Sequence, residues 1–203
     1  YNELVASWLP ELRAALAATD GPFKLATWMA MAGNYIDFGI LRKIDDARLK
    51  RMLSTPDEKA VGTPELERLR AEVAAAKHIV YACDNCGEVV LDMLLMEEMK
   101  KENPSLSITA LVRGENVLND VTAEDARAVG LDRVATIVGN GSNIGGTQLE
   151  YLGDEAREAL RTADVVISKG QGNFETLTGA GLNVYYLFLA KCPHYTKWFG
   201  MEH

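Results

Sequence analysis

From His78 onward the chain alternates short apolar runs with longer segments of helical spacing, and this rhythm narrows the possible folds more than any other feature. Residues 79–83, 107–112, 134–138, 165–168 and 184–189 are apolar runs of strand length. Segments 88–102, 122–129, 154–162 and 174–177 carry apolar residues at three- and four-residue intervals and read as helices. Strands that stay apolar without in-and-out alternation are buried on both faces, and parallel strands need crossovers of this length. The expected fold is therefore α/β, a three-layer α/β/α, Rossmann-like, mostly parallel sheet.

The residues before this point read as an amino-terminal helical subdomain, giving a division into 1–77 and 78–203. Leu4, Val5, Trp8, Leu9, Leu12 and Leu16 mark an amphipathic helix, and Pro10 inside the pattern predicts a kink or two shorter helices. Thr19-Asp20-Gly21-Pro22 is a turn in which Asp20 can cap the following helix, 23–31, which ends near Gly33. Gly33-Asn34-Tyr35-Ile36-Asp37-Phe38-Gly39 reads on composition as a helix C-cap followed by a loop. Residues 40–53 carry mixed charges and fit one short helix. Thr63 is a good N-cap and Pro64 a good first helical residue, with Leu66, Leu69, Val73 and Ala76 as the buried stripe.

Composition removes several function classes. At 203 residues the chain can bury one substantial core. A net charge of −8 argues against a general nucleic-acid binder and means that any phosphate site needs a metal or local positive groups. No stretch approaches the roughly 18 consecutive apolar residues of a membrane span. Three cysteines are too few for a disulfide scaffold and point to a reducing, cytoplasmic setting. No signal peptide is visible, and the chain opens at Tyr1 already inside a helical pattern, which suggests further residues upstream.

The polar residues fall in a telling place. The first strand ends in Asp84-Asn85, the second runs into Arg113-Gly114 with Asn119-Asp120 shortly after, and the third ends in the glycine-rich segment 139–147. The fourth ends in Lys169-Gly170-Gln171-Gly172-Asn173-Phe174-Glu175. In a parallel sheet these ends share one edge and converge on one crevice. Asp84, Asn85 and Asp120 are hard oxygen donors suited to Mg²⁺ or Mn²⁺. The plainer alternative is that Asp84 or Asn85 caps the helix starting near Gly87, and that Asp120 caps the next. The 169–173 segment can bind an anion through backbone amides and the Lys169 charge, although it matches neither the nucleotide phosphate loop nor the dinucleotide fingerprint. Cys83-x-x-Cys86 reads first as packing. A redox pair, or a zinc set completed by Cys192 and His194, is the alternative. His78 precedes its strand, at the edge opposite the chemistry.

At these residues the chain resembles the damage-control phosphatase family, also known as domain of unknown function 89. Asp84-Asn85-Cys86-Gly87-Glu88 resembles its Asp-Asn-Ala-Gly-Glu signature, and the segment from Leu118 to Ala126 resembles its second motif. Lys169 to Leu177 is similar to the third, Gly33 to Phe38 to a further element, and Lys191-Cys192-Pro193 to the ending after the last strand. The cysteine-containing, mainly prokaryotic branch is the nearest in pattern. The resemblance implies a phosphatase dependent on Mn²⁺, Co²⁺, Ni²⁺ or Mg²⁺ that acts on small phosphorylated metabolites such as sugar phosphates or damaged cofactor phosphates. It implies that Asp84, Asn85 and Asp120 hold the metal, and that Lys169 with Gly170, Gly172 and Asn173 holds phosphate. Asn34, Asp37, Glu88 and Asn119 would line the substrate end, with Lys191 as a second phosphate contact. Asp84 serves as ligand or also as nucleophile, and Glu175 either orients groups or favours the helix dipole. The rival classes are a methyltransferase-like binder of a nucleoside cofactor and a non-enzymatic zinc or redox module built on Cys83, Cys86 and Cys192.

Overall fold

Backbone hydrogen bonds join β1 (His78–Ala82), β2 (Ser107–Val112), β3 (Thr136–Gly139), β4 (Val165–Lys169) and β5 (Val184–Leu187) into one sheet of order β3-β2-β1-β4-β5. Every neighbouring pair is parallel, with His78 opposite Ser107 and Ile79 opposite Val165. The computed structural model describes residues 1–34 and 46–188, apart from the side chain of Asp46. Ten α-helices, with two single-turn 3-10 helices at Leu131–Arg133 and Leu149–Tyr151, complete the elements of the described residues: α1 (Asn2–Ser7), α2 (Leu9–Ala18), α3 (Pro22–Gly33), α4 (Asp46–Ser54), α5 (Glu58–Val61), α6 (Pro64–Ala75), α7 (Glu88–Glu102), α8 (Ala123–Ala128), α9 (Asp154–Thr162) and α10 (Gly170–Leu177).

The strand period of two sorts the core into layers. Ile79, Tyr81, Ile108, Ala110, Val165 and Ile167 point to one face and join a core that runs from Val5 on α1 to Leu187 on β5. Val80, Ala82, Leu111, Val138 and Val166 point to the other, against Ala156, Ala159 and Leu160 of α9 and Leu177 of α10. From Glu88 to Met96 α7 is buried on every side, and apart from Glu88 and Asp92 that stretch is apolar all round. A Cβ on Gly33 would lie 3.0 Å from Leu91 Cδ1, so glycine lets α3 come close to α7. No described helix is long and apolar enough to cross a membrane.

Local sequence signals account for most of the ends. Pro10 resolves the first pattern into two helices, occupying the first turn of α2, where its missing N–H costs no hydrogen bond. Thr63 caps α6, its hydroxyl accepting from the Leu66 N–H at 3.3 Å, with Pro64 following. Asp20 does not cap α3; Gly21 holds that position, and its N–H donates to the Thr19 hydroxyl at 3.2 Å. α10 begins at Gly170 rather than at 174, so the glycine-flanked turn is itself the first turn of the helix.

The order of the strands decides where ligands bind. β1, β2 and β3 progress in one direction, and the chain then crosses back to place β4 and β5 on the other side of β1. The carboxyl ends of β1 and β4 therefore flank a topological switch point, the usual crevice of open α/β sheets.

One residue nearby is strained. Leu118 has φ +48° and is 98 % exposed, so its side chain buries nothing in return for a left-handed backbone. Leu118→Asn is expected to stabilise the protein by a few tenths to about 1 kcal/mol, because asparagine tolerates that conformation. Urea unfolding of the two proteins checks this, and a loss of stability would contradict it.

Candidate active site

Two stretches of main chain are laced together at the switch point. Beyond β1, Asp84 and Asn85 run antiparallel to the segment around Asp120: Val121 N–H donates to Asp84 O at 2.9 Å and Cys86 N–H to Asn119 O at 2.8 Å. None of the three oxygen-bearing side chains caps a helix. Gly87 holds the cap position of α7, and its N–H donates to Asn2 Oδ1 of α1 at 2.5 Å. α8 is capped by Thr122 in a reciprocal box with Asp125. The capping alternative for Asp84, Asn85 and Asp120 is thereby removed.

The side chains form a dense charged layer. Asn85 Nδ2 donates to Asp84 Oδ2 at 2.6 Å and lies 3.4 Å from Glu88 Oε2. Gly170 backs Asp84: its φ is +74°, and a Cβ there would overlap the Asp84 carboxylate. Burial raises the Asp84 pKa well above the carboxylate range, Glu88 and Asp120 push it further, and Lys169 and Arg113 oppose them. Asp120 is paired with Arg113, whose Nε and Nη2 both reach Oδ2, at 2.8 and 2.6 Å.

Lys169 is fully buried and held by three acceptors. Its ammonium donates to the Ala30 carbonyl of α3 at 2.7 Å, to the Glu88 carboxylate, and to Asp92 at 3.0 Å. Tyr81 of β1 also donates to Asp92 Oδ1, at 2.8 Å. Burial works against the ammonium, but Asp92 and Glu88 outweigh it and raise its pKa. Asp92 is pushed up to about 7, by burial first and by Glu88, with Lys169 acting against both.

Counted as ions, the carboxylates of Asp84, Glu88, Asp92 and Asp120 face the two cations Lys169 and Arg113, an excess of two negative charges. That excess, with hard oxygen donors on Asp84, Asn85 and Asp120 beside one another, fits a divalent cation. The set contains two carboxylates and an amide. Among the described residues no group of three or more His, Cys, Asp and Glu side chains is arranged to hold a metal.

The other expected residues are distributed as follows. Asn34 ends α3, half-buried, and Glu88 is buried within the charged layer. Asn119 is half-buried beside Asp120, and Gly172 packs against Gly146. The Asn173 side chain is a buried clip, donating to Lys169 O at 2.8 Å and Cys83 O at 3.0 Å and accepting from Thr147 at 2.7 Å. Glu175 lies on the exposed side of α10, accepting from Gln171 at 3.2 Å. Asp37 and Lys191 lie outside the described residues, as do Cys192 and His194. Burial raises both Cys83 and Cys86, the latter to about 11, the opposite of a reactive thiolate. Sequence reasoning missed Arg113 as a partner of Asp120, and also Asp92, Tyr81 and Asn2. Asp92 had a readable signal, since it stands one turn after Glu88 in a stretch, 88–96, that is otherwise apolar.

The profile of the damage-control phosphatase ARMT1-like domain matches residues 1–203. The chain belongs to this family. A protein of Archaeoglobus fulgidus named damage-control phosphatase is 33% identical over 204 residues, which cover 99% of this chain and 69% of that protein. One from Pyrococcus horikoshii bearing the same name is 35% identical over 178 residues, 84% of this chain and 59% of that protein. The crystal structure of a member of the same family (domain of unknown function 89), also from Pyrococcus horikoshii, superposes with a TM-score of 0.85 at 28% identity, covering 99% of this chain and 69% of the other. Family membership agrees with what the motifs implied, and the α/β sheet with what the alternation of strands and helices implied.

The raised Asp92 carboxyl has a consequence for the metal-free protein. Its pKa is about 7 folded, against an ordinary unfolded value of roughly 3.9. The folded state thus binds this proton more tightly, and its contribution to stability is lost as pH rises from about 4 through about 7. Asp92→Asn should flatten that part of the profile, so that the variant gains on the wild type between pH 5 and pH 8. Urea unfolding at the two pH values checks it, and an unchanged difference would count against the assignment.

Proposed function

We propose that the chain forms the metal- and phosphate-binding part of a metal-dependent phosphomonoester hydrolase acting on small phosphorylated metabolites, sugar phosphates or damaged cofactor phosphates. The charge excess at the switch point carries this reading, supported by the phosphatase names of the relatives. Asp84, Asn85 and Asp120 would hold a divalent metal, Mn²⁺, Co²⁺, Ni²⁺ or Mg²⁺. When bound, the metal supplies the positive charge that lets a phosphate dianion approach this acidic layer and polarises the phosphoryl group.

The chain's own groups do the rest. The first turn of α10, from Gly170 to Asn173, has no side-chain cap, and its amides and helix dipole receive phosphoryl oxygens. Lys169 acts from beneath, holding Glu88 and Asp92 and adding positive charge to the same turn. Asp84, packed on Gly170, joins the metal side of the site to the phosphate side, and we assign it as a ligand. Glu88 steadies the Asn85 amide. Asn34 and Asn119 would face the leaving group and Glu175 would orient Gln171 along α10, and the resemblance gives Asp37 the same role as Asn34 and makes Lys191 a second phosphate contact.

The test is a panel of sugar and cofactor phosphates assayed after chelation and after readdition of each metal. Activity should vanish on chelation and return with at least one metal; full activity in the chelated protein would overturn the reading. A larger rise in melting temperature with a methyl donor than with Mn²⁺ plus phosphate would favour methyl transfer instead.

A further inference from the structure

We infer that Arg113 is a positioning residue that fixes Asp120 for the metal, an inference that rests on the metal-site reading above. Arg113 follows β2 directly and is 4 % exposed. A guanidinium usually meets a carboxylate side-on, one N–H to each oxygen. Here Nε and Nη2 both converge on Oδ2 of Asp120, at 2.8 and 2.6 Å, and no hydrogen bond from the guanidinium reaches Oδ1. An outer partner that fills one carboxylate oxygen and leaves the other to a cation is the way metal-ligating side chains are commonly oriented.

The grip is doubled by the backbone and extends to a second loop. Arg113 N–H donates to Val121 O at 2.9 Å, so main chain and side chain hold the same segment. The third contact, from Nη1, goes to the carbonyl of Gly146. That loop is anchored by Asn140, whose Oδ1 accepts from Gly114 N–H at 2.8 Å and Ser142 N–H at 3.0 Å. Gly146 in turn packs against the Gly172 carbonyl, with no room for a Cβ between them. One guanidinium thus ties the Asp120 carboxylate to the loop that rests on the first turn of α10.

Electrostatics makes the inference separable from a simpler one. If Arg113 served only as a counter-charge to Asp120, removing it would leave the layer more negative and strengthen the attraction for a divalent cation. If Arg113 positions Asp120, removing it frees the carboxylate to rotate and weakens cation binding. The two roles predict opposite signs.

The experiment is a Mn²⁺ titration of the full chain, followed by calorimetry, for the wild type, Arg113→Gln, Arg113→Lys and Asp120→Asn. Positioning predicts that Arg113→Gln and Arg113→Lys both bind Mn²⁺ more weakly by about 10- to 100-fold, since lysine keeps the charge but not the fork. Mn²⁺ binding by Arg113→Gln as tight as, or tighter than, that of the wild type would overturn the inference. Circular dichroism reports whether the variants fold; should the glutamine variant fail, undiminished affinity in Arg113→Lys overturns it equally. Equal Mn²⁺ affinity in Asp120→Asn and the wild type would instead remove the metal-site reading itself.

Discussion

Asp84→Asn is expected to lower phosphatase activity by about a hundredfold or more while raising the melting temperature of the metal-free protein. Asparagine keeps the shape that fits against Gly170 and an oxygen to accept from Asn85. What it removes is a charge that its surroundings oppose, through burial and through Glu88 and Asp120. The folded pKa of Asp84 lies above its unfolded value, so the metal-free wild type loses stability as pH rises through that raised pKa. The variant escapes this loss at neutral pH, and each kcal/mol recovered is worth roughly 2–4 °C in a chain of this size. Trading stability for a preorganised charge is common at functional sites. Thermal denaturation with and without Mn²⁺, beside turnover measurements, tests both halves. A metal-free variant that melts below the wild type would show that Lys169 and Arg113 already support the Asp84 charge.

Lys169→Met should have the largest effect on folding. The ammonium is the shared partner of Glu88 and Asp92, and all three side chains are inaccessible to water. Methionine fills much of the same space but leaves two carboxylates buried without their counter-ion. Breaking such a pair typically costs about 3–5 kcal/mol, a large share of the roughly 5–15 kcal/mol that holds a domain together. Urea unfolding reads the loss, and adding Glu88→Gln to Lys169→Met should recover part of it. A single variant within about 1 kcal/mol of the wild type would mean that the carboxylates take up protons at little cost.

The sheet was legible in the sequence because buried parallel strands have few acceptable residues, and because Pro10, Thr63 and Pro64 act within a single helical turn. The convergence of Asp84, Asn85, Asp120 and the 169–173 turn was legible as well, since parallel strands send all their carboxyl ends to one edge. The partners of those residues were not. Lys169 read only as a charge for phosphate because nothing local announces Ala30 O, 139 residues away, or Asp92 on α7. The start of α7 is met by Asn2, 85 residues earlier, where local reading could only offer Asp84 or Asn85. Such pairings depend on how helices pack across the sheet, and one-dimensional periodicity carries no information about that.

The bond from Lys169 to Ala30 is a main-chain contact, so no substitution in α3 can delete the acceptor. The helices before β1 act as the waterproof wall of the charged layer. A protein cut at residue 77 would lose Ala30 O together with the α1 to α6 side chains that pack on this face of the sheet, and would open the layer to solvent. Water would then screen the charges that make the layer hungry for a cation, and the dry interior on which the proposed chemistry depends would be gone.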